Sequence, residues 1–419
     1  MKTVFHNFSA LSAIQVANYV FPLVTVPYLG RVLGAETFGL IAFAQSFVLF
    51  FAILSRYGFN LSATRQIAID RDDPVKLGRT YCEVMAVKLT LTVVLFGVFA
   101  CLVWWVPRFR AEALFFLLSY GFVLGDALFP IWFFQGVERM KPMAVFNLIS
   151  QAVFTAGIFV LVRQQSDYTW VALLHSAGFL VSGVVAQIYL LRHFNFPKHL
   201  PSWRGLVAQL RHSWHYFVSS VALNLFTGAN TFVLGLLTND LIVGYFSAAE
   251  KIIRAVLGLL GPLVQAVYPR IAKLASESYE EAHRTFLFFR RLITGFTALL
   301  SLGTLITAKW VILLLMGEGF GKSVIILQAM ALLPLLVGVA TAHTNLYLVA
   351  FGHSRVWSRI IVFTSAASLL GVFFFVKVLH WDAVGVALNM LLTECLVIGL
   401  AYRQYRIIHG QAEAAHEEA

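Results

Sequence analysis

Residues 18–65 read NYVFPLVTVPYLGRVLGAETFGLIAFAQSFVLFFAILSRYGFNLSATR, and the placement of this stretch decides the fold. Two apolar runs are joined by a short Gly-bounded turn; the first is interrupted by Pro22 and Pro27, and the second closes on charge at Arg56. Pro22 has no N–H to give the carbonyl of Asn18, and Pro27 likewise frees that of Leu23. A span broken in this way, with an amide side chain, has to face protein or a water-filled cavity. The hairpin therefore reads as the lining of a translocation path, with its proline break as a bend.

Working outward, 59% of residues are hydrophobic and only 12% charged, with a mean hydropathy of +0.80. An ordinary soluble domain is excluded. Apolar runs of about 20 residues recur throughout, which makes this an all-α polytopic membrane protein. The first run is too long for a signal peptide and leads straight into a second span. About twelve spans are expected, at 8–29, 38–58, 83–106, 112–134, 144–163, 169–191, 213–237, 243–267, 291–315, 323–350, 357–378 and 384–402. The net charge of +11 does not call for nucleic acid, because roughly twenty of the 31 Lys and Arg fall in alternate loops. That bias places both termini in the cytoplasm. Cys82, Cys101 and Cys395 lack metal spacing and read as packing residues.

The connection 192–212 divides the chain into a six-span lobe at 1–191 and another at 213–402, with a polar cytoplasmic tail at 403–419. Within the connection Trp203, Leu206, Val207, Leu210 and Trp214 recur at helical spacing, as in an amphipathic strap on the inner membrane surface. Gly39 to Gln45 is echoed by Gly244 to Glu250, and Gly136-Val-Glu-Arg139 by Gly352-His-Ser-Arg355, both at a six-span offset. Duplicated lobes of this kind build two six-helix units around a central cavity.

Ionisable residues inside spans cost about 2.5–3.5 kcal/mol each and mark function. Glu250, Lys251 and Arg254 form the densest group; Glu250 and Arg254, one turn apart, can pair and leave Lys251 as net positive charge. Arg56 and Lys88 add cations, although Lys88 has the alternative of snorkelling to the interface. Arginine presents a planar fork to phosphate oxygens, so such a cavity suits a diphosphate. The bland alternative is a self-satisfied network of ion pairs between helices. Asp126, Glu394 and Glu83 are acids placed to carry a proton or to bond neighbouring helices, and Asn18 and Gln45 are cavity amides by chemistry. The aromatic run from Phe115 to Phe134 suits sugar stacking, lipid-facing belts being the commoner use. Gly317 to Ser323, GEGFGKS, fails as a nucleotide loop, since Met316 occupies the position of its first glycine. No catalytic constellation sits on a loop large enough to host it, and no cofactor is called for.

With these residues in view, the chain resembles polysaccharide or O-antigen flippases of the Wzx type, in the superfamily of multidrug/toxin extruders and lipid II flippases. The resemblance is carried by residues 18–47, by YGFNLSATRQIAI at 57–69, by Ala249-Glu250-Lys251 with Tyr268-Pro269-Arg270, and by the MGEGF loop. It implies movement of an undecaprenyl-diphosphate-linked oligosaccharide from the cytoplasmic to the periplasmic leaflet of a bacterial inner membrane, by alternating access and without a cofactor. It also implies a polysaccharide polymerase and a chain-length regulator as partners. The family's cationic cavity maps onto Lys251 and Arg254, and onto Arg31 and Arg56 near span ends. Two rival readings stay open: a cation-coupled multidrug extruder, which wants acids in its cavity, and a membrane glycan polymerase, which wants a sizeable outer loop.

Overall fold

The structure, a computed structural model, describes residues 2–194 and 200–417, with side chains described at 21, 22, 24–194, 200–225 and 228–411. Every described element is a helix. Large apolar side chains stand on the outer surface, among them Val93, Val94, Phe96, Val98, Trp104 and Trp105 on one helix face. A patch of this size is unfavourable in water and favourable against lipid. Ten helices among the described residues are long and apolar enough to cross a membrane, eleven with the bent helix Trp203–Leu237. The twelfth is the expected span 8–29, most of whose side chains lie outside the described residues.

By its contacts the chain falls into two units, Met1–Asn224 and Leu225–Ala419. The first unit contains α1 (Lys2–Arg56), α2 (Phe59–Ile69), α3 (Pro74–Trp105), α4 (Ala113–Gly136), α5 (Met140–Leu161), α6 (Tyr168–His193) and the start of α7 (Trp203–Leu237). The opening hairpin differs from its expected form in one respect. Helix continues through Pro22 and Pro27, and the break falls at Gly34, with φ 75° and ψ 171°. Two prolines five residues apart each remove one hydrogen bond without turning the chain, whereas a left-handed glycine redirects it.

Phe115, Phe116, Tyr120, Phe129, Trp132, Phe133 and Phe134 of α4 are all buried within the unit. They pack against α2, α3 and α6, or against Phe47, Phe51 and Phe99, while Phe115 and Phe122 also line a cavity. Aromatic periodicity alone does not say which side of a membrane helix is core. The expected strap is the first part of α7. Its fully buried positions are Gly205, Gln209 and Ser213; Gln209 donates to Glu83 (Nε2–Oε2 3.1 Å), Ser213 bonds Ser62 (2.7 Å), Leu206 and Leu210 pack on the core of the first unit, and Trp203 and Trp214 face outward. Glu83, at 3% exposure, is therefore tied to Arg79 and Gln209 inside the first unit.

The second unit comprises the end of α7, α8 (Asp240–Glu277), α9 (Tyr279–Met316), α10 (Glu318–Val349), α11 (Ser354–Val378) and α12 (Asp382–Gln411). Its core gathers Leu260, Ile271, Phe286, Ile293, Leu346, Tyr347, Val397 and Tyr405. The last six residues of α10, Thr344–Val349, form a π-helix. Gly317, at φ 90°, separates α9 from α10, so the GEGFGKS segment is the break between the two helices followed by the first turns of α10.

Candidate functional site

In the first unit, three residues read separately along the sequence meet. The Arg56 guanidinium holds the Asp126 carboxylate with two hydrogen bonds, Nε to Oδ2 at 2.9 Å and Nη2 to Oδ1 at 2.7 Å. Lys88 donates to the Asp126 main-chain carbonyl at 3.4 Å and is only 1% exposed, so it does not snorkel. Each residue is carried by a different helix. Arg56 ends α1, Lys88 lies on α3, and Asp126 lies in the middle segment of α4, Gly121–Leu128. Hydroxyls surround them: Ser55 bonds Thr92 at 2.6 Å, and Tyr120 donates to the Thr92 carbonyl at 2.7 Å. Asp126, the acid read as a proton carrier, is thus the counter-ion of the cations read as phosphate ligands.

Gly125 explains how Asp126 reaches this position. A Cβ there would lie 2.4 Å from the Phe179 carbonyl carbon and 2.5 Å from the Leu180 nitrogen, so α4 and α6 touch backbone to backbone. Neither atom can turn away as a flexible side chain would. Gly125→Val is expected to push α6 off α4, at a cost of about 1–3 kcal/mol or more. The check is the melting temperature of the purified protein, with Gly97→Val as a control, where a Cβ meets nothing within 4 Å.

In the second unit, Arg254 holds Glu250 through Nε and Nη2, at 3.1 and 2.6 Å to Oε1. Thr231 of α7 donates to the other carboxylate oxygen at 2.5 Å. Both carboxylate oxygens are therefore satisfied. Lys251 makes no hydrogen bond or ion pair among the described residues. Arg254 is the more open partner, with its side chain 45% exposed against 10% for Glu250.

The remaining expected residues do not join either group. Arg31 is exposed, three residues ahead of the Gly34 break. Glu394 is half-buried on α12 with no ionic partner among the described residues. The Asn18 side chain lies outside the described residues. Gln45 lines a cavity of about 210 Å³ together with Ser119, Phe122 and His175. His175, which sequence reasoning passed over, also borders a second cavity of about 260 Å³ with Thr25, Ser150 and Phe154. No sequence signal marks it, because a lone histidine in an apolar run has no spacing to read. Thr231 was likewise invisible, since its partner sits nineteen residues away on another helix. Among the described residues, no three His, Cys, Asp or Glu side chains are grouped to hold a metal.

The two groups share one stoichiometry: two cations to one acid, Arg56 and Lys88 with Asp126, Lys251 and Arg254 with Glu250. By formal count each therefore has one cationic side chain more than it has acids within a membrane-spanning unit.

A model of the polysaccharide biosynthesis protein family matches residues 4–275. The chain belongs to that family. Over 401 residues it is 29% identical to the "Putative O-antigen transporter" of Escherichia coli (strain K12), covering 94% of each chain. A protein of the same name from Shigella dysenteriae is 29% identical over 393 residues, covering 94% of this chain and 97% of the relative. Among solved structures, an inward-facing multidrug resistance MATE family transporter of the MOP superfamily superposes with a TM-score of 0.70 at 15% identity, covering 97% of this chain and 99% of that one. The lipid II flippase MurJ in an inward closed conformation gives 0.71 at 14% identity, covering 94% and 87%. The polysaccharide-family resemblance carried by residues 18–69 thus holds for the family, and the fold is that of MOP superfamily transporters.

Proposed function

We propose that the protein is a flippase for lipid-linked oligosaccharides. It moves a polyprenyl-diphosphate-linked repeat unit from the cytoplasmic to the periplasmic leaflet of a bacterial inner membrane by alternating access, with both termini cytoplasmic. The observation that carries this reading is the one cationic side chain in excess in each charge group, because an anionic headgroup supplies what each group lacks. In the second unit the diphosphate is bound by Lys251 and by the open side of Arg254, while the polyprenyl chain stays in lipid. Names borne by the whole-length relatives support the substrate class. The reading involves no bond chemistry, and a polymerase acting on the delivered units is the partner it implies.

A multidrug extruder is the rival favoured by fold alone. It wants acids free to bind a cationic drug, yet Asp126 and Glu250 are already held by arginine, which leaves Glu394 alone of these three without an ionic partner among the described residues. The test is deletion of the gene with complementation by the intact chain. Loss of surface polysaccharide, restored by the chain, with unchanged drug sensitivity is expected. Drug hypersensitivity with intact polysaccharide overturns the reading.

A further inference from the structure

Two cavities of the first unit flank one imidazole, and neither is lined by the charge groups. Gln45 of α1, Ser119 and Phe122 of α4 and His175 of α6 border the cavity of about 210 Å³. Thr25 of α1, Ser150 and Phe154 of α5 and the same His175 border that of about 260 Å³. Both far exceed the roughly 10–15 Å³ that a single water needs, so a ring-sized guest has room. The His175 ring lies nearly flat on Phe122, 5.0 Å centre to centre at 24°, with Phe154 and Phe179 at 5.6 and 5.2 Å. Gln45 is half-buried between buried residues at 41–44 and 46–48, so the part of it left open faces the cavity. Neither the Gln45 amide nor the Ser150 hydroxyl makes a hydrogen bond among the described residues. Ser119 and Thr25 give their hydrogens to the Phe115 and Phe21 carbonyls, at 2.8 and 2.9 Å, and keep lone pairs to accept.

The lining selects the chemistry of the guest. Among the described residues that border the two cavities, His175 is the one ionisable side chain. A diphosphate finds no arginine or lysine there, and a cationic drug finds no carboxylate. A bare hydrocarbon chain leaves the amide and the hydroxyls unsatisfied, which is unfavourable away from water. What the walls offer is amide donors and an acceptor, hydroxyl lone pairs and aromatic rings on an otherwise apolar surface. A neutral ring edged with hydroxyls meets all of them.

We propose that the two cavities beside His175 are a sugar-binding site, in which Gln45 and Ser150 bond the hydroxyls of neutral sugar rings packed against Phe122 and Phe154. That these rings belong to a lipid-linked oligosaccharide rests on the flippase reading. With both termini cytoplasmic, Gln45, Ser119 and His175 are six or seven residues in from the outer span ends at 38, 112 and 169, a depth of about 9–11 Å. The sugar is then held in the outer half of the membrane, by residues separate from those that take the diphosphate.

The probe is the repeat-unit oligosaccharide freed by mild acid from the host strain's own surface polysaccharide, added at millimolar concentration to the full-length protein in nanodiscs. Saturation-transfer NMR, with irradiation of protein aromatic protons, is expected to light up the sugar ring protons. The transfer is expected to fall severalfold when the protein carries ring-deuterated phenylalanine, and to persist in excess inorganic pyrophosphate. Gln45→Leu combined with Ser150→Ala is expected to weaken binding about tenfold. No transfer to the oligosaccharide, transfer that survives ring deuteration, displacement by pyrophosphate or undiminished binding in the double variant each overturns the proposal. The first three are read in the wild type, so a poorly folding variant does not rescue it. If the oligosaccharide binds as expected while deletion of the gene spares surface polysaccharide, the flippase reading fails and the sugar site stands. If deletion abolishes surface polysaccharide while the oligosaccharide does not bind, the sugar site fails and the flippase reading stands.

Discussion

Asp126→Ala is expected to lower stability by about 3–5 kcal/mol, the range for removing one partner of a buried ion pair. The loss arises from what remains. Arg56, with its side chain 28% exposed, loses both carboxylate bonds, and Lys88, 1% exposed, loses the negative charge beside it. Two cations are then left within a helical bundle that offers only hydroxyls and carbonyls. The double variant Arg56→Met with Asp126→Leu removes one cation together with the acid and is expected to melt closer to wild type than Asp126→Ala alone. Scanning tryptophan fluorescence of detergent-purified protein against temperature measures the order. If Asp126→Ala melts with wild type, the carboxylate is not the counter-ion that holds α1, α3 and α4 together.

This triad shows where sequence reading stops. Arg56, Lys88 and Asp126 each stood out, because a charge within an apolar run costs free energy and needs a reason. Their meeting did not, because it depends on how α1, α3 and α4 are packed. The contact that seats α4 on α6, Gly125 against the Phe179 backbone, has no local pattern either. Helical class, membrane setting and the Gly-bounded turn after the first run were all readable, since they follow from run length, hydropathy and the freedom of glycine. The position of the break was readable only in part. Prolines suggested 18–27, yet helix persists there and turns at Gly34, because a helix in lipid keeps its remaining backbone pairs intact. Glu250 with Arg254 was the easiest pair of all, since one helical turn separates them and no tertiary knowledge is needed. The aromatic run of α4 was the opposite case. Side chains suited equally to lipid, sugar or core carry no address until their neighbours are known.

The largest functional effect is expected from Lys251→Ala combined with Arg254→Ala. Removing Arg254 leaves Glu250 with only Thr231 as a partner, and removing Lys251 deletes the cation that has no partner among the described residues. The group changes from one net positive charge to one net negative charge. A diphosphate that was attracted is then repelled, and surface polysaccharide is expected to fall to the level of the deletion strain. Two further variants separate this from a folding defect. Glu250→Gln in the double-variant background removes the leftover carboxylate, so it is expected to restore protein level without restoring polysaccharide. Lys251→Arg retains the charge and is expected to keep most of the activity. Quantifying surface polysaccharide against membrane-inserted protein for each variant gives the ratio that decides. Wild-type polysaccharide in the double variant, at normal protein level, removes these two residues from the binding site.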